Sequence, residues 1–413
     1  MSVTAGFASE QQVVTRFGSL PFAEPRVVVT GNFATPRRLL SLFDSAVESY
    51  RLFVLNAQPP IPDRPGVVYE TPFVGPAMRG RADLDYLPMR LSLVPRLFEV
   101  ARPPDVVLLQ TSMPRKGKVS LGVEVNVLPA AVEHTRASGG LVVAQCNPRM
   151  PYTFGDGELD LDMVDLLLET EEALGTAPRR GQSRTTLAIA EQVAPLVADG
   201  STIQTGIGEI PDTVIGLVAE RRGLRIWTEA LGDGVLALER AGALDPGSVI
   251  TGSFLFGSEE LYRWADGNER LRLLRTEVVN DPSRIASHEN TFSLNAAMQV
   301  DLWAQANATY AHGRVHSGFG GQPDFVVGAL HSKGGQAVIT LPSWHAKSET
   351  STIVPRLHVP ATSFQHSVVV TEQGCARIFG RSQRAQTRLL IEETAHPDAR
   401  DGLWRAVSAG MGS

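Results

Sequence analysis

Glu229 closes a short apolar run, Leu224-Arg225-Ile226-Trp227-Thr228-Glu229, and Gly232-Asp233-Gly234 follows within five residues. Open α/β sheets bind ligands at the carboxyl ends of their strands. A carboxylate delivered there, at the mouth of glycine-rich loops, is a candidate covalent nucleophile toward an activated acyl group. The loop Ser317-Gly318-Phe319-Gly320-Gly321-Gln322-Pro323-Asp324-Phe325 lets backbone N–H groups approach developing negative charge. Asn280-Asp281-Pro282 adds a side-chain amide in what reads first as a turn. One nucleophile and two potential oxyanion donors suggest acyl transfer. Gly206-Ile207-Gly208 offers further amides at a helix start, suited to a phosphate or pantetheine contact. Each piece also has a plainer reading. A glutamate after a strand is most often a helix-start or ion-pair residue, and either loop could be a tight turn with no ligand.

The elements that must carry these residues alternate along the chain. Strand patterns fall at 26–30, 51–55, 106–110, 141–145, 202–205, 224–228, 249–254, 337–341 and 367–371, with helical stretches at 38–49, 185–198 and 213–221. Such alternation indicates parallel sheets covered by helices. Val28-Val29-Thr30-Gly31 leads to Pro36 and a helical run, and Ile203-Gln204-Thr205-Gly206 leads to Pro211 and another. The equal spacing suggests two related domains, 1–180 and 181–413, joined through Gly175-Thr176-Ala177-Pro178-Arg179-Arg180-Gly181. Chance strand–Gly–Pro–helix units remain the alternative.

The 413 residues exceed one ordinary core and suit two domains. The formal charge of −6 argues against a nucleic-acid binder, though a local basic pocket could still hold a polyanionic cofactor. Cys146 and Cys375 show no ligand spacing, so neither a disulfide scaffold nor a structural zinc is expected. Nine histidines form no HExxH array, and no metal is expected. No signal-peptide pattern opens the chain, and no apolar run approaches the roughly 18–20 residues needed to span a bilayer. A cytoplasmic protein without membrane or nucleic-acid partners is the expectation, with a homo-oligomer, most simply a dimer, as the prior.

Taken together, the motifs resemble the acetyl-CoA hydrolase/transferase family, which includes 4-hydroxybutyrate and butyrate:acetate CoA-transferases. The resemblance spans nearly the whole chain. It is carried by Gly31-Asn32-Phe33-Ala34-Thr35-Pro36, Ser120-Leu121-Gly122-Val123 and Asn147-Pro148-Arg149-Met150-Pro151. It continues through Gly206-Ile207-Gly208-Glu209-Ile210-Pro211, Thr228-Glu229 and Val279-Asn280-Asp281-Pro282. Ser317–Phe325, Ser332-Lys333-Gly334-Gly335, Ile353-Val354-Pro355 and Val370-Thr371-Glu372-Gln373-Gly374 complete the order.

The resemblance implies an α/β fold of two CoA-transferase-type domains with largely parallel sheets covered by helices. It implies Glu229 as the nucleophile that becomes a glutamyl-CoA thioester, with Asn280 and the amide of Gly321 as oxyanion-stabilising groups. Gly206, Ile207, Gly208, Gly318, Gly320, Gln322, Asp324 and Lys347 would line the coenzyme A site. The coenzyme A thioester is then a substrate, with no bound cofactor. Two stretches depart from the pattern. Where many relatives continue with a basic residue and Thr-His-Gly-Asp-Ser, this chain has Tyr152-Thr153-Phe154-Gly155-Asp156-Gly157, and Lys347-Ser348-Glu349-Thr350 stands for Lys-Gly-Gly-Thr. The expected activity is ping-pong CoA transfer between an acyl-CoA and a small carboxylate of the acetate, butyrate or 4-hydroxybutyrate type. Acyl-CoA hydrolysis, a non-catalytic CoA or metabolite sensor and sugar-phosphate isomerase chemistry are the alternatives.

Overall fold

The computed structural model describes residues 6–178, 181–359, 361 and 365–410. Arg179 and Arg180 of the expected linker, and residues 1–5 of the expected leaderless start, lie outside the described residues. The chain clusters into two compact units. The first comprises 1–177, 251–278 and 315–320, and the second 178–250, 279–314 and 321–413.

In the first unit, seven strands form one sheet: β1 (Arg26–Val29), β2 (Tyr50–Val54), β3 (Val67–Thr71), β4 (Leu84–Tyr86), β5 (Val106–Thr111), β6 (Leu141–Cys146) and β7 (Leu166–Glu169). Their order is β4-β3-β2-β1-β5-β6-β7, and all neighbours run parallel. β5 and β6 are buried at every position, as near-continuous apolar runs in a sheet covered on both faces should be. Val27, Val29, Leu39, Phe43, Tyr50 and Leu52 belong to the core. Phe43 meets Phe17 and Tyr50 edge to face, with ring centroids 4.9 and 5.1 Å apart. The fully buried Glu70 on β3 is held by Arg26, Arg51 and Arg102.

The second unit builds on β8 (Thr202–Thr205), β9 (Arg225–Ile226), β10 (Thr291–Ala296), β11 (Gln336–Thr340), β12 (Val368–Thr371) and β13 (Gly374–Arg377). The order is β9-β8-β10-β11-β12-β13, parallel except for the final hairpin. Here β9-β8-β10-β11-β12 repeats the connectivity of β2-β1-β5-β6-β7. In both units a helix joins the first two of these strands, Arg37–Ala46 in one and Glu209–Leu217 in the other. The order reverses between β1 and β5, and again between β8 and β10. Such switch points are where open α/β sheets take ligands, at the carboxyl ends of the strands.

Some elements differ from the sequence-based expectation. The central strand β10 was not anticipated. Its sequence, Thr-Phe-Ser-Leu-Asn-Ala, spends three of six positions on polar residues. Ser293 and Asn295 are buried and bond to Gln204 on β8, Ser293 Oγ donating to Gln204 Oε1 at 2.6 Å and Asn295 Nδ2 at 3.2 Å. The helix expected at 213–221 begins instead at Glu209, because Pro211 sits in the first turn, where a missing N–H costs no intrahelical bond. The single strand expected at 249–254 is two short pieces, Ile250–Gly252 and Phe254–Leu255, outside both main sheets.

Candidate active site

Glu229 is placed by hydrogen bonds that tie the two residues before it to β8. Past the end of β9, the Trp227 amide continues the ladder to the Ile203 carbonyl at 3.1 Å. The Thr228 hydroxyl donates to the Thr205 carbonyl at 3.0 Å and accepts from the Thr205 amide at 3.3 Å. Glu229 therefore emerges at the carboxyl end of the sheet, partly exposed, beside the last residue of β8.

Asn280 reaches the same point from a different element. Asp281 caps the short helix Pro282–Ser287, its side chain accepting from the Ser283 amide at 2.8 Å. That cap fixes the residue before it. Asn280 is fully buried, and its Nδ2 donates to Oε2 of Glu229. Among the described residues its Oδ1 has no hydrogen-bond partner.

Gly321 completes the cluster. Its φ is −88°, so backbone strain does not require glycine there. Space does. A Cβ at this position would lie 2.5 Å from Asn280 Nδ2 and overlap the Glu229 carboxylate. Gly321 also caps the helix Gln322–His331, whose first-turn amides lack intrahelical acceptors and carry partial positive charge.

The electrostatics of this cluster suit a nucleophile that works near neutrality. Burial pushes the Glu229 carboxyl up to about 7, the Asn280 hydrogen bond pulls it partly back, and the charge of Asp324 raises it further. Residual exposure lets a substrate reach the group, while the protein around it strips most of its hydration. Asp324, 1% exposed, sits in the first turn of the Gln322–His331 helix.

The remaining expected residues divide into those joined to the cluster and those held elsewhere. Gln322 opens the helix behind Gly321, and its side chain donates to the Ala296 carbonyl at the end of β10 at 3.2 Å. Gly206, Ile207 and Gly208 follow directly on Thr205. Gly208 has φ +138° with nothing within 4 Å of a built Cβ, so it is needed for its conformation rather than for room. Ile207 is exposed. Two acidic groups stand just beyond: burial and then the charge of Asp233 push Asp212 up to about 6. Gly318 and Gly320 belong to the first unit, where both approach Phe73, Gly318 in an isolated bridge and Gly320 with φ +59° against its ring. Lys347 is exposed in the turn between the paired segments Trp344–His345 and Thr350–Ser351.

The first unit contains a separate cavity of about 500 Å³, lined in part by Met113, Arg115, Met150, Tyr152, Tyr262 and Arg263. The Arg115 guanidinium lies over the Tyr152 ring, 4.7 Å from its centroid. Tyr152 is fixed by its amide to Asp266 at 2.8 Å and by its hydroxyl to Glu158 at 2.9 Å. The departure at Tyr152 therefore forms part of a built wall. Among the described residues there is no group of three or more His, Cys, Asp or Glu side chains able to hold a metal, and no helix long and apolar enough to cross a membrane.

Trp227 and Thr228 had no place in the sequence-based site. The proximity of Trp227 to Glu229 in the chain was visible, but the partners of its indole were not.

Comparison with known proteins identifies the family. Residues 257–407 match the model for the acetyl-CoA hydrolase/transferase C-terminal domain. The chain is 37% identical over 349 residues to 4-hydroxybutyrate coenzyme A transferase of Clostridium kluyveri, covering 80% of each chain. It is 32% identical over 410 residues to succinyl-CoA:acetate/propanoyl-CoA:succinate CoA transferase of Fasciola hepatica, covering 92% of this chain and 84% of that one. The solved structure of 4-hydroxybutyrate CoA-transferase from Porphyromonas gingivalis superposes with a TM-score of 0.80 at 27% identity, over 98% of this chain and 97% of that one.

Proposed function

The chain belongs to the acetyl-CoA hydrolase/transferase family, and on that premise we propose that it moves coenzyme A between an acyl-CoA and a small carboxylate, with Glu229 as the covalent nucleophile. The observation that carries the residue assignment is the hydrogen bond from Asn280 to Glu229 with Gly321 packed against both.

Glu229 attacks the thioester carbonyl, forming a mixed anhydride and expelling coenzyme A as thiolate. That thiolate then attacks the Glu229 carbonyl carbon, which gives a glutamyl-CoA thioester and frees the first carboxylate. A second carboxylate reverses the two steps and leaves as the new acyl-CoA. During the thiolate attack the anionic oxygen develops on the Glu229 carboxyl itself, where the Asn280 amide already donates. Asn280 thus stabilises the tetrahedral species formed on the enzyme, and the amide of Gly321 serves as the second donor. Losing one such donor costs about 10²–10³ in kcat. A thioester is exchanged for a thioester, so the cycle needs neither ATP nor metal.

The Gly206-Ile207-Gly208 loop suits the uncharged pantetheine arm better than the diphosphate. Glu209 and Asp212 occupy the first turn of the helix it opens, and Asp233 adds a further acidic group beside Asp212. Contacts along that arm, remote from the reacting atoms, can align thioester and carboxylate. The two relatives differ in the acids their names carry, so the acids used here are to be found by assay.

The test is Glu229→Gln, assayed for exchange between acetyl-CoA and a series of short carboxylates. Exchange should be abolished with the fold intact. The raised carboxyl costs the native state stability above the ordinary carboxyl range, because the folded protein keeps a proton that the unfolded chain has lost. The amide variant should therefore melt no lower than wild type at pH 8. Full exchange by Glu229→Gln sinks the mechanism. Coenzyme A release without any acceptor acid would place the chain with the hydrolases of its family.

A further inference from the structure

We propose that Trp227 is the positioning residue of this site, setting the geometry of Asn280 and Gly321 against Glu229. The proposal rests on the reading of Glu229 as nucleophile. Trp227 lies two residues before Glu229, on the continuation of β9, and its indole N–H donates to the Val279 carbonyl at 2.9 Å. The next residue after Val279 is Asn280, whose side chain donates to Glu229. One side chain therefore ties the strand that delivers the carboxylate to the segment that delivers its amide.

The grip extends to the other end of that segment. The His288 ring covers the indole, with centroids 4.5 Å apart and planes at 42°. Residues 279–288, including the Pro282–Ser287 helix, are thus held at both ends by Trp227. The Gln322–His331 helix sits close on the same segment, since a Cβ at Gly328 would come within 2.5 Å of the Ile285 side chain. Gly321 heads that helix. From one indole, contact runs through 279–288 to both groups that face the nucleophile.

Trp227 is only half-buried, so filling a core is not its main use. A buried-side indole N–H calls for an acceptor, and the choice of the carbonyl next to Asn280 makes that need geometrically useful. A displacement of about 1 Å among reacting groups can cost roughly 10²-fold in rate.

The experiment is Trp227→Phe, which keeps a ring against His288 and removes the N–H. It is made alone and in an Asn280→Ala background, with thermal unfolding followed for each protein. Alone, the variant should lose about 10- to 100-fold in kcat while KM for acetyl-CoA stays within about 2-fold. Its acid limb should move to higher pH, because a looser Asn280 no longer holds the Glu229 carboxyl down. In the Asn280→Ala background the same change should cost clearly less, since the route through Asn280 is cut and only the one to Gly321 remains. A purely structural Trp227 would lower the melting temperature and leave kcat and the pH profile alone, which overturns the proposal. So does an equal loss in both backgrounds. Glu229→Gln is measured in parallel: if it retains exchange, the nucleophile reading has failed. If it is inactive while Trp227→Phe is at full rate, only the role of Trp227 has failed.

Discussion

At the residue scale, a carboxylate is a weak nucleophile, and its protonation decides whether it can act. With the Glu229 carboxyl pushed up to about 7, the free enzyme should lose kcat/KM as pH falls through that value, because the acid form cannot attack. Asp324→Asn removes a negative charge that favours the protonated form, so its acid limb should move to lower pH. A pH–rate series on wild type and this variant, read as kcat/KM, checks both directions. An unchanged limb in Asp324→Asn would mean that Asp324 does not act on the nucleophile. Glu229 itself was legible in the sequence, because a strand that ends in an acid among glycines is a local pattern. Asn280 and Gly321 were reached through the family resemblance. The burial of Glu229, its direct bond to Asn280 and the charge of Asp324 upon it were not legible, since Asn280 is 51 residues away and Asp324 is 95.

At the element scale, the site is a meeting of three pieces of chain: the end of β9, the turn before the Pro282–Ser287 helix, and the head of the Gln322–His331 helix. Gly321 is where the third piece comes closest. Gly321→Ala introduces no backbone strain at φ −88°, so its effect should be local, driving a methyl into the Glu229 carboxylate and the Asn280 amide. Exchange should fall by about 10²-fold or more, while the melting temperature shifts only slightly. A comparison of kcat and thermal unfolding separates the two, and wild-type turnover would show that the close packing at Gly321 has no catalytic consequence. The strand runs rich in Val, Ile and Leu announced most of the sheet from sequence. β10 escaped because its buried positions include Ser293 and Asn295, whose partner Gln204 lies on another strand. The early start of the Glu209–Leu217 helix was hidden by Pro211, which reads as a boundary but sits inside the first turn.

At the scale of the whole molecule, two units share one five-strand order, yet the proposed chemistry gathers in the second. The β8–β9 end carries Glu229, whereas the matching β1–β2 end of the first unit carries Asn32 and Asn56. There Asn32 Nδ2 donates to the buried Glu124 at 2.7 Å, and its Oδ1 accepts from Asn56 at 2.7 Å. The repeat visible in Gly31–Pro36 and Gly206–Pro211 thus underlies two ends with different chemistry. The first unit also draws in residues 251–278 and 315–320, short returns of the chain that no local pattern marks. The central claim is that Glu229 carries coenzyme A during turnover. The most direct measurement incubates the protein with acetyl-CoA, adds hydroxylamine, and maps the modified peptide by mass spectrometry. Hydroxylamine displaces coenzyme A from a glutamyl thioester and leaves a hydroxamate on the residue that held it. A hydroxamate on Glu229 that appears only with acyl-CoA is the predicted result. Continuing exchange between acyl-CoA and carboxylate, with the Glu229 peptide unmodified, would contradict it.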